Sequence, residues 1–376
     1  MLDIQVKENL SQPQGMKLRN ERDSSIELFR IITMLLIIAH HYVVHSGLMS
    51  LEIIYSDPTS WRSMFLLLFA AWGKTGINCF VMITGYFMCK SNITLKKFLK
   101  LLLEIYFYQI VIYLVFLLTG FSSFSVVSCI NAIFPIRVIS TNFIGCYLIF
   151  FLCIPFLNIL VHNMTKRQHT CLLLLMGTIY ILLGTIPKTN VIFNYITWFC
   201  ILYFISSYIR LYPKTIFDRT NFWGWTSLII LLIASASVII CTWLLPKIEI
   251  ESMSSISFWF VADSNKILAV AMGISSFLFF KNLRIKPNRF INVVASTTFG
   301  ILLIHDNSDE MRQWLWKDVL NNVEMYRSDL LVIHAILVVI GIFTICSTID
   351  YCRIRFIEKP LFKKYSSKIS SLKSLF

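Results

Sequence analysis

The chain has 376 residues, of which 57% are hydrophobic and only 14% are charged, and its mean hydropathy is +0.71. Soluble domains carry roughly 25% charged residues, so this composition excludes a soluble protein and predicts an all-α bundle of membrane-spanning helices. The net charge of +14 does not indicate nucleic-acid binding, because the basic residues collect in short loops between apolar segments.

Ten apolar segments are long enough, or nearly so, to cross a hydrocarbon core of roughly 30 Å. They cover residues 25–46, 62–89, 97–119, 141–161, 170–186, 191–211, 223–245, 264–281, 290–305 and 331–351. The predicted organisation is a membrane domain over residues 24–362, which lies between an N-terminal cytoplasmic segment (residues 1–23) and a basic cytoplasmic tail (residues 363–376).

The distribution of positive charge predicts the orientation of these spans. If the N-terminus is cytoplasmic, 25 of the 34 lysines and arginines face the cytoplasm, eight face the opposite side, and Lys74 lies inside the second span. Cytoplasmic loops of membrane proteins carry such an excess of Lys and Arg. We therefore expect about ten spans, with both termini in the cytoplasm.

The first span begins with charged residues that a bilayer does not readily accept. Ser24 and Glu27 stand three positions apart, which is the spacing of a capping box, so a helix is predicted to begin near Ser24. Titratable groups inside a spanning helix are costly and therefore indicate a functional site. The alternative is an Arg30 that extends to the interface and histidines that only pack in the bundle.

Arg30 and His41 are eleven residues apart, which returns a helix to almost the same face after a rise of about 16 Å. Glu27 and His45 lie near the same face, whereas His40 points away from it. The sequence therefore predicts a polar face that runs from one membrane surface deep into the bilayer.

The second span carries Lys74 well inside the membrane, followed by Asn78 and Tyr86. An unpaired ammonium group there would cost roughly 2.5–3.5 kcal/mol or more. Lys74 is therefore expected to have a carboxylate, an anionic ligand or water beside it. Glu104 in the third span is a candidate partner for Lys74 or Arg30, in a structural or a catalytic role.

The ninth span ends at His305, which the predicted topology places at the outer mouth. The following loop, residues 306–329, contains Trp314 and Trp316 and is predicted to hold a short helix on the outer interface. The ten cysteines form no C-x-x-C pair and no ligand spacing. We therefore expect neither a disulfide framework nor a metal site.

Five short stretches, each with a different motif, occur in a characteristic order along the chain. They are Arg30 with His41, residues 80–87 around Thr84, residues 143–158, Thr298–His305, and Glu358-Lys359-Pro360. Together they resemble the integral-membrane acyltransferase family three, the surface-polysaccharide O-acyltransferases of bacteria. The resemblance covers about residues 22–362, with Thr84 in place of the usual serine and Leu302 in place of the usual tyrosine. Lysines at the start of the third span replace arginines that are frequent in the family.

The resemblance implies transfer of an acyl group, usually acetyl, from cytoplasmic acyl-coenzyme A to a hydroxyl of a cell-surface or lipid-linked glycan. It implies a multi-pass protein of the bacterial cytoplasmic membrane, with acyl-coenzyme A as co-substrate and no permanently bound cofactor. The acyl group, the acceptor sugar and the oligomeric state stay open. A glycan exporter or flippase without acyl chemistry is the alternative function.

The expected catalytic residues are Arg30, His41 and His305. Arg30, held by Glu27, would orient the donor; either His41 or His305 would deprotonate the acceptor, or His41 would carry the acyl group transiently. Lys74 or Asn78 would stabilise the oxyanion that forms on the thioester. The expected donor-binding residues are Glu27, Lys74, Asn78, Tyr86 and Glu104.

Overall fold

The computed structural model describes residues 23–133, 143–187, 189, 191–244 and 256–365. This part of the chain is helical and contains no β-strand. The predicted N-terminal segment, apart from Asp23, and most of the predicted tail lie outside the described residues.

The helices are α1 (Ser24–Val44), α2 (Trp61–Ala70), α3 (Gly73–Met88), α4 (Leu95–Leu118), α5 (Val126–Ile133), α6 (Phe143–Asn163), α7 (Lys166–Met176), α8 (Tyr195–Leu211), α9 (Thr220–Leu244), α10 (Ile267–Asn282), α11 (Arg289–Ala295), α12 (Thr298–His305), α13 (Asp309–Arg312), α14 (Asn322–Met325), α15 (Leu331–Arg353) and α16 (Lys359–Lys364).

Among the described residues, six helical segments are long and apolar enough to cross a membrane. They are Ser24–Val44, Trp61–Met88, Leu95–Leu118, Phe143–Asn163, Thr220–Leu244 and Leu331–Lys364. Three shorter apolar helical segments are Tyr195–Leu211, Ile267–Asn282 and Arg289–His305, and the predicted fifth span is α7 continued by a π-helical segment, Gly177–Leu183. The all-helical membrane fold is thus confirmed, while the count of ten spans and their orientation stay predictions.

Helix α1 begins at Ser24 as predicted, but the predicted capping residue is wrong. Asp23 is the N-cap, because its carboxylate accepts from the backbone N–H groups of Ser25 and Ile26 at 3.0 and 3.4 Å. The Ser24 hydroxyl donates instead to Asn292 at 3.0 Å. An aspartate side chain satisfies the free N–H groups of the first turn as well as a serine does, which leaves Ser24 available for a tertiary contact.

Helix α1 lies at the centre of the bundle. In the described part of the chain its main neighbours are α2, α3, α10, α11, α12 and α15. Two buried apolar clusters surround its two ends: Ile26 and Phe29 pack in the cluster that contains Trp198, whereas Tyr42 packs in the cluster that contains Trp316. The two ends of α1 therefore meet different parts of the molecule.

The second predicted span is broken between α2 and α3. His40 of α1 faces this break, and its Nδ1 lies 2.7 Å from the backbone oxygen of Ala70. A carbonyl only accepts, so the imidazole donates, and it satisfies a backbone group at the end of α2. A Cβ at Gly73 would overlap the Cβ and Cγ atoms of His40. This close approach requires glycine, and it confirms that His40 points away from the face of Arg30 and His41.

The ninth predicted span is also broken, between α11 and α12. The Thr297 hydroxyl at this break is hydrogen bonded to Ser347 of α15 at 2.8 Å. One turn later, a Cβ at Gly300 would overlap the carboxyl group of Asp350. Both interrupted spans therefore pack closely on a neighbouring helix at their break, and both lie against α1.

The loop after His305 contains a helix, as predicted, but only part of it is at the surface. Helix α13 continues as a π-helical segment, Gln313–Val319. Trp314 is partly exposed, whereas Trp316 is fully buried with its ring 6.3 Å from those of Tyr42 and His305. Trp316 is therefore a core residue that covers His305, and the prediction that it lies on the interface is wrong.

Candidate active site

His41 and His305 meet although 264 positions separate them in the chain. The Nδ1 atom of His41 lies 3.0 Å from Nε2 of His305. The Nδ1 atom of His305 lies 2.6 Å from the backbone oxygen of Ile301, one turn earlier in α12. His305 is completely buried, and His41 keeps a small exposed surface.

The backbone carbonyl of Ile301 determines which ring nitrogens of His305 and His41 carry a proton. Because the Ile301 oxygen only accepts, Nδ1 of His305 carries a proton. The neutral His305 ring then presents Nε2 as an acceptor, and Nδ1 of His41 donates to it. The lone pair of a neutral His41 is consequently on Nε2. One nitrogen of His41 is thus held by the protein, and the other is directed away from the pair.

Asp306, the residue after His305, faces the free edge of His41. Its carboxylate oxygens lie 3.9 Å from Nε2 of His41 and 3.5 Å from Nε2 of His45. Arg312 binds the same carboxylate through Nε at 2.6 Å and also binds Asp309 at 2.8 Å. The two imidazoles and Asp306 offer three ligand atoms within 4.8 Å of one another, which makes them a candidate metal site.

Arg312, which lies beyond the end of α12, keeps its positive charge. Burial lowers the pKa of its guanidinium, but the carboxylates of Asp306 and Asp309 outweigh burial and raise it above the ordinary value. Arg312 therefore stays protonated and balances the charge of Asp306 beside the histidines.

Lys74 has a phenol as its partner instead of a carboxylate. Its ammonium donates to the Tyr195 hydroxyl at 2.9 Å, and it lies 5.6 Å from the centre of the same ring. The carboxylates of Asp263 and Asp306 are near enough to attract it electrostatically. Lys74 is thus on the side of the molecule that holds the histidines, and its predicted pairing with Glu104 is wrong.

Glu104 belongs to a separate buried group of charges, the Arg353 network. Arg353 contacts Glu104 at 2.9 Å, Asp350 at 2.7 Å and Glu358 at 2.9 Å. Lys100 binds Glu358 at 2.8 Å. Arg353 is the nearest cation to Glu104, which is why neither Arg30 nor Lys74 pairs with it. A donor-binding role for Glu104 stays a prediction.

Asn78 and Tyr86 of α3 both have protein partners. The amide oxygen of Asn78 accepts from Trp198 at 2.8 Å, and its nitrogen donates to the backbone oxygen of Ser264 at 2.7 Å. The Tyr86 hydroxyl accepts from Arg210 at 2.8 Å, and the Arg210 guanidinium lies over the same ring at 4.6 Å. The contacts of Asn78 are those of a buried structural residue, and its predicted role at the oxyanion stays a prediction.

Arg30 and Glu27 are in contact, as predicted, with 3.3 Å between Nη1 and Oε2. Both lie at the start of α1, on the helix that carries His41 near its other end. Nearby, Thr84 is hydrogen bonded to the Tyr147 hydroxyl at 3.0 Å. Two of the stretches that resemble one family pattern, around Thr84 and around Tyr147, are therefore joined in the fold.

A comparison with protein-family models matches residues 23–351 to a model described as an acyltransferase domain, that of acyltransferase family three. The match covers most of the chain. The chain belongs to acyltransferase family three. Comparisons with curated proteins and with solved structures found no match.

Several residues that contact the predicted site residues were not indicated by the sequence. Asp306 and Arg312 follow the stretch that ends at His305, and a polar cluster directly after an apolar span was the available signal. Tyr195 and Arg353 gave no comparable signal, because each lies near a predicted span end, where a tyrosine or an arginine is ordinary.

Proposed function

We propose that this family-three acyltransferase transfers an acyl group, most simply acetyl, from acyl-coenzyme A to a hydroxyl of a cell-surface or lipid-linked glycan. The observation that carries the proposal is the His41–His305–Ile301 chain of hydrogen bonds, which leaves the lone pair of His41 on Nε2. A base with a defined lone pair is what deprotonation of a sugar hydroxyl requires.

The reaction needs two proton transfers, one to His41 and one from it, and one exchange of bonds. Nε2 of His41 takes the proton of the acceptor hydroxyl while its oxygen forms a bond to the thioester carbon. The carbon–sulfur bond then breaks, and the leaving thiolate of coenzyme A takes that proton from His41. His305 shares the positive charge that develops on His41, and Lys74 stabilises the transient oxyanion.

The donor is proposed to enter from the end of α1 that carries Arg30. Coenzyme A is rich in phosphate, and a guanidinium binds phosphate oxygens through two parallel hydrogen bonds. Arg30 uses Nη1 for Glu27, which leaves further N–H groups for a ligand. The N-terminal turn of α4 carries Lys96 and Lys97, which would add positive charge on the proposed donor side. The acyl chain would then extend along α1 towards His41.

The test compares His41→Ala with His162→Ala in membranes supplied with labelled acetyl-coenzyme A and the host glycan. His162 is an exposed histidine at the end of α6, so its replacement controls for histidine loss alone. We expect His41→Ala to lose at least about 100-fold of the acyl transfer rate, at unchanged membrane abundance, and His162→Ala to keep the wild-type rate.

Base-labile acyl signals in the NMR spectrum of the glycan identify the product. Such signals with wild type and with His162→Ala, but not with His41→Ala, support the proposal. A His41→Ala protein that acylates at the wild-type rate contradicts it. Glycan that reaches the cell surface unacylated, but only when the wild-type protein is present, would favour the exporter.

A further inference from the structure

The Nε2 atom of His41, which carries the lone pair, lies opposite a carboxylate, and this arrangement suits a second role besides proton transfer. The Nε2 atoms of His41 and His45 face the carboxylate of Asp306 at 3.9 and 3.5 Å. In the neutral pair, Nε2 of His41 is an acceptor, and so are the carboxylate oxygens. Acceptors that face each other across a gap of this size favour a cation or a donor group between them.

The chemistry of the three ligands points to a transition metal. Two imidazoles and one carboxylate suit zinc and similar ions, whereas magnesium and calcium prefer oxygen ligands alone. His41 and His45 stand four positions apart at the end of α1, the spacing by which two histidines on one helix face bind zinc. Three protein ligands also leave a fourth position open.

The distances are compatible with such an ion after small movements. Zinc bonds of about 2.0–2.2 Å in a tetrahedral site place the ligand atoms roughly 3.3–3.5 Å from one another. The two measured distances to Asp306 are 3.5 and 3.9 Å, and all three ligand atoms lie within 4.8 Å. Side-chain shifts of a few tenths of an ångström to about 1 Å would close the site.

The surroundings of the ligands match those of a metal site. A histidine that binds a metal usually donates its other ring nitrogen to a fixed acceptor, and Nδ1 of His41 donates to His305. Arg312 holds Asp306 in the same way, through a bond of 2.6 Å. The positive charge of Arg312 also opposes a second cation, which favours reversible binding over permanent occupancy.

We infer that His41, His45 and Asp306 form a binding site for a divalent transition metal ion, zinc above all, and that the bound ion inhibits acyl transfer. The inhibition rests on the proposed function, because the ion occupies the Nε2 lone pair that would take the proton of the acceptor. Metal binding itself does not depend on that function. The ligands come from chain positions 261 residues apart, which is why their spacing in the sequence indicated no metal site.

Binding is tested on the purified full-length protein in detergent by titration with Co²⁺, whose visible absorption reports the ligands. We expect a band that zinc displaces. His45→Ala should weaken the affinity for Co²⁺ at least tenfold, and His162→Ala should leave it unchanged. Asp306→Asn is a second ligand variant, and the melting temperature of each protein shows whether it is folded.

Two results would overturn the metal site: no saturable Co²⁺ band, or equal affinity in wild type and both folded ligand variants. Because the ten cysteines are free thiols, the comparison with His45→Ala is what separates this site from binding elsewhere.

The inhibition is tested separately by adding Zn²⁺ to the acyl transfer assay and then a chelator. We expect loss of transfer with zinc and full recovery with the chelator. Transfer that a chelator abolishes and zinc restores would overturn the inhibitory role. If the protein transfers no acyl group under any condition, the proposed function fails, and the Co²⁺ titration still decides whether the metal binds.

Discussion

At the scale of single residues, the proposed mechanism depends on the contact between two imidazoles, those of His41 and His305. An isolated neutral histidine exchanges its proton between two nitrogens, so its lone pair has no fixed position. The backbone oxygen of Ile301 removes this freedom for His305, and His305 removes it for His41. The arrangement resembles the acceptor that orients a catalytic histidine in a hydrolase triad, with an imidazole in the place of the carboxylate.

In the proposed mechanism His305 positions His41, and replacement of His305 tests that role. His305→Leu removes the acceptor for Nδ1 of His41, so kcat is expected to fall roughly 100- to 10,000-fold, with little change in KM for acyl-coenzyme A. His305→Gln keeps an amide oxygen that can accept, and should recover part of kcat. Steady-state kinetics on purified protein of equal melting temperature provides the measurement.

A role of His305 in packing alone predicts a different result. In that case the two variants would have melting temperatures different from that of wild type. Their kcat values per folded protein would equal the wild-type value. A His305→Leu protein that retains the wild-type kcat contradicts the positioning role.

The residue contacts that the sequence predicted correctly are local ones. Arg30 and Glu27 stand three positions apart on one helix, so helical geometry alone brings them together. The contact of His41 with His305 depends on how α12 packs against α1. The partner of Glu104 likewise comes from the other end of the chain, at Arg353. No spacing rule relates such distant positions, so neither contact was predicted.

At the scale of helices, the interruption of two spans determines which groups reach α1. At the break before Gly73, the ring of His40 binds the carbonyl of Ala70 at the end of α2. Irregular backbone at membrane depth is tolerated where protein groups satisfy it. The segment Trp61–Met88 is long and apolar enough to cross a membrane, and helices often contain single glycines, so the pattern predicted a continuous span.

Gly73→Ala tests the close approach at this break. The added Cβ would overlap the Cβ and Cγ atoms of His40, and because both belong to packed helices, we expect a loss of about 1–3 kcal/mol in stability. The expected readout is a lower melting temperature in detergent. Gly341→Ala in α15 is the matched control, since a Cβ there meets nothing within 4 Å.

The control should melt at the wild-type temperature or slightly above it, because alanine favours a helix over glycine. If Gly73→Ala and Gly341→Ala melt together at the wild-type temperature, the contact between α1 and α3 is looser than the structure indicates. The close approach would then not be the reason for glycine at position 73.

At the scale of the molecule, two of the polar groups in the bundle lie in separate regions. The histidines, Asp306 and Lys74 form one region, and the Arg353 network forms another at the end of α15. The network joins α4 to α15 and to the segment after it, so it connects an early part of the chain with a late one. Composition predicted the helical membrane bundle correctly, but not which helices such a network would join.

Arg353→Met tests whether this network holds the bundle together. The change leaves Glu104, Asp350 and Glu358 close together, while Lys100 still pairs with Glu358. Removing one member of a buried ion pair typically costs about 3–5 kcal/mol, because the remaining charge is uncompensated. We therefore expect a large drop in melting temperature or in membrane abundance, and partial recovery when Glu104→Gln is added.

Arg62→Met is the matched control, since Arg62 forms a pair of the same length, 2.9 Å, with the exposed carboxylate of Asp329. An exposed pair contributes about 1 kcal/mol at most, because water and salt screen it, so this variant should melt near wild type. Equal melting temperatures for Arg353→Met and Arg62→Met would show that the buried carboxylates do not need Arg353. The carboxyl groups would then have to be protonated and neutral. Glu104→Gln, which replaces a neutral carboxyl group by a neutral amide, would in that case leave the stability of Arg353→Met unchanged.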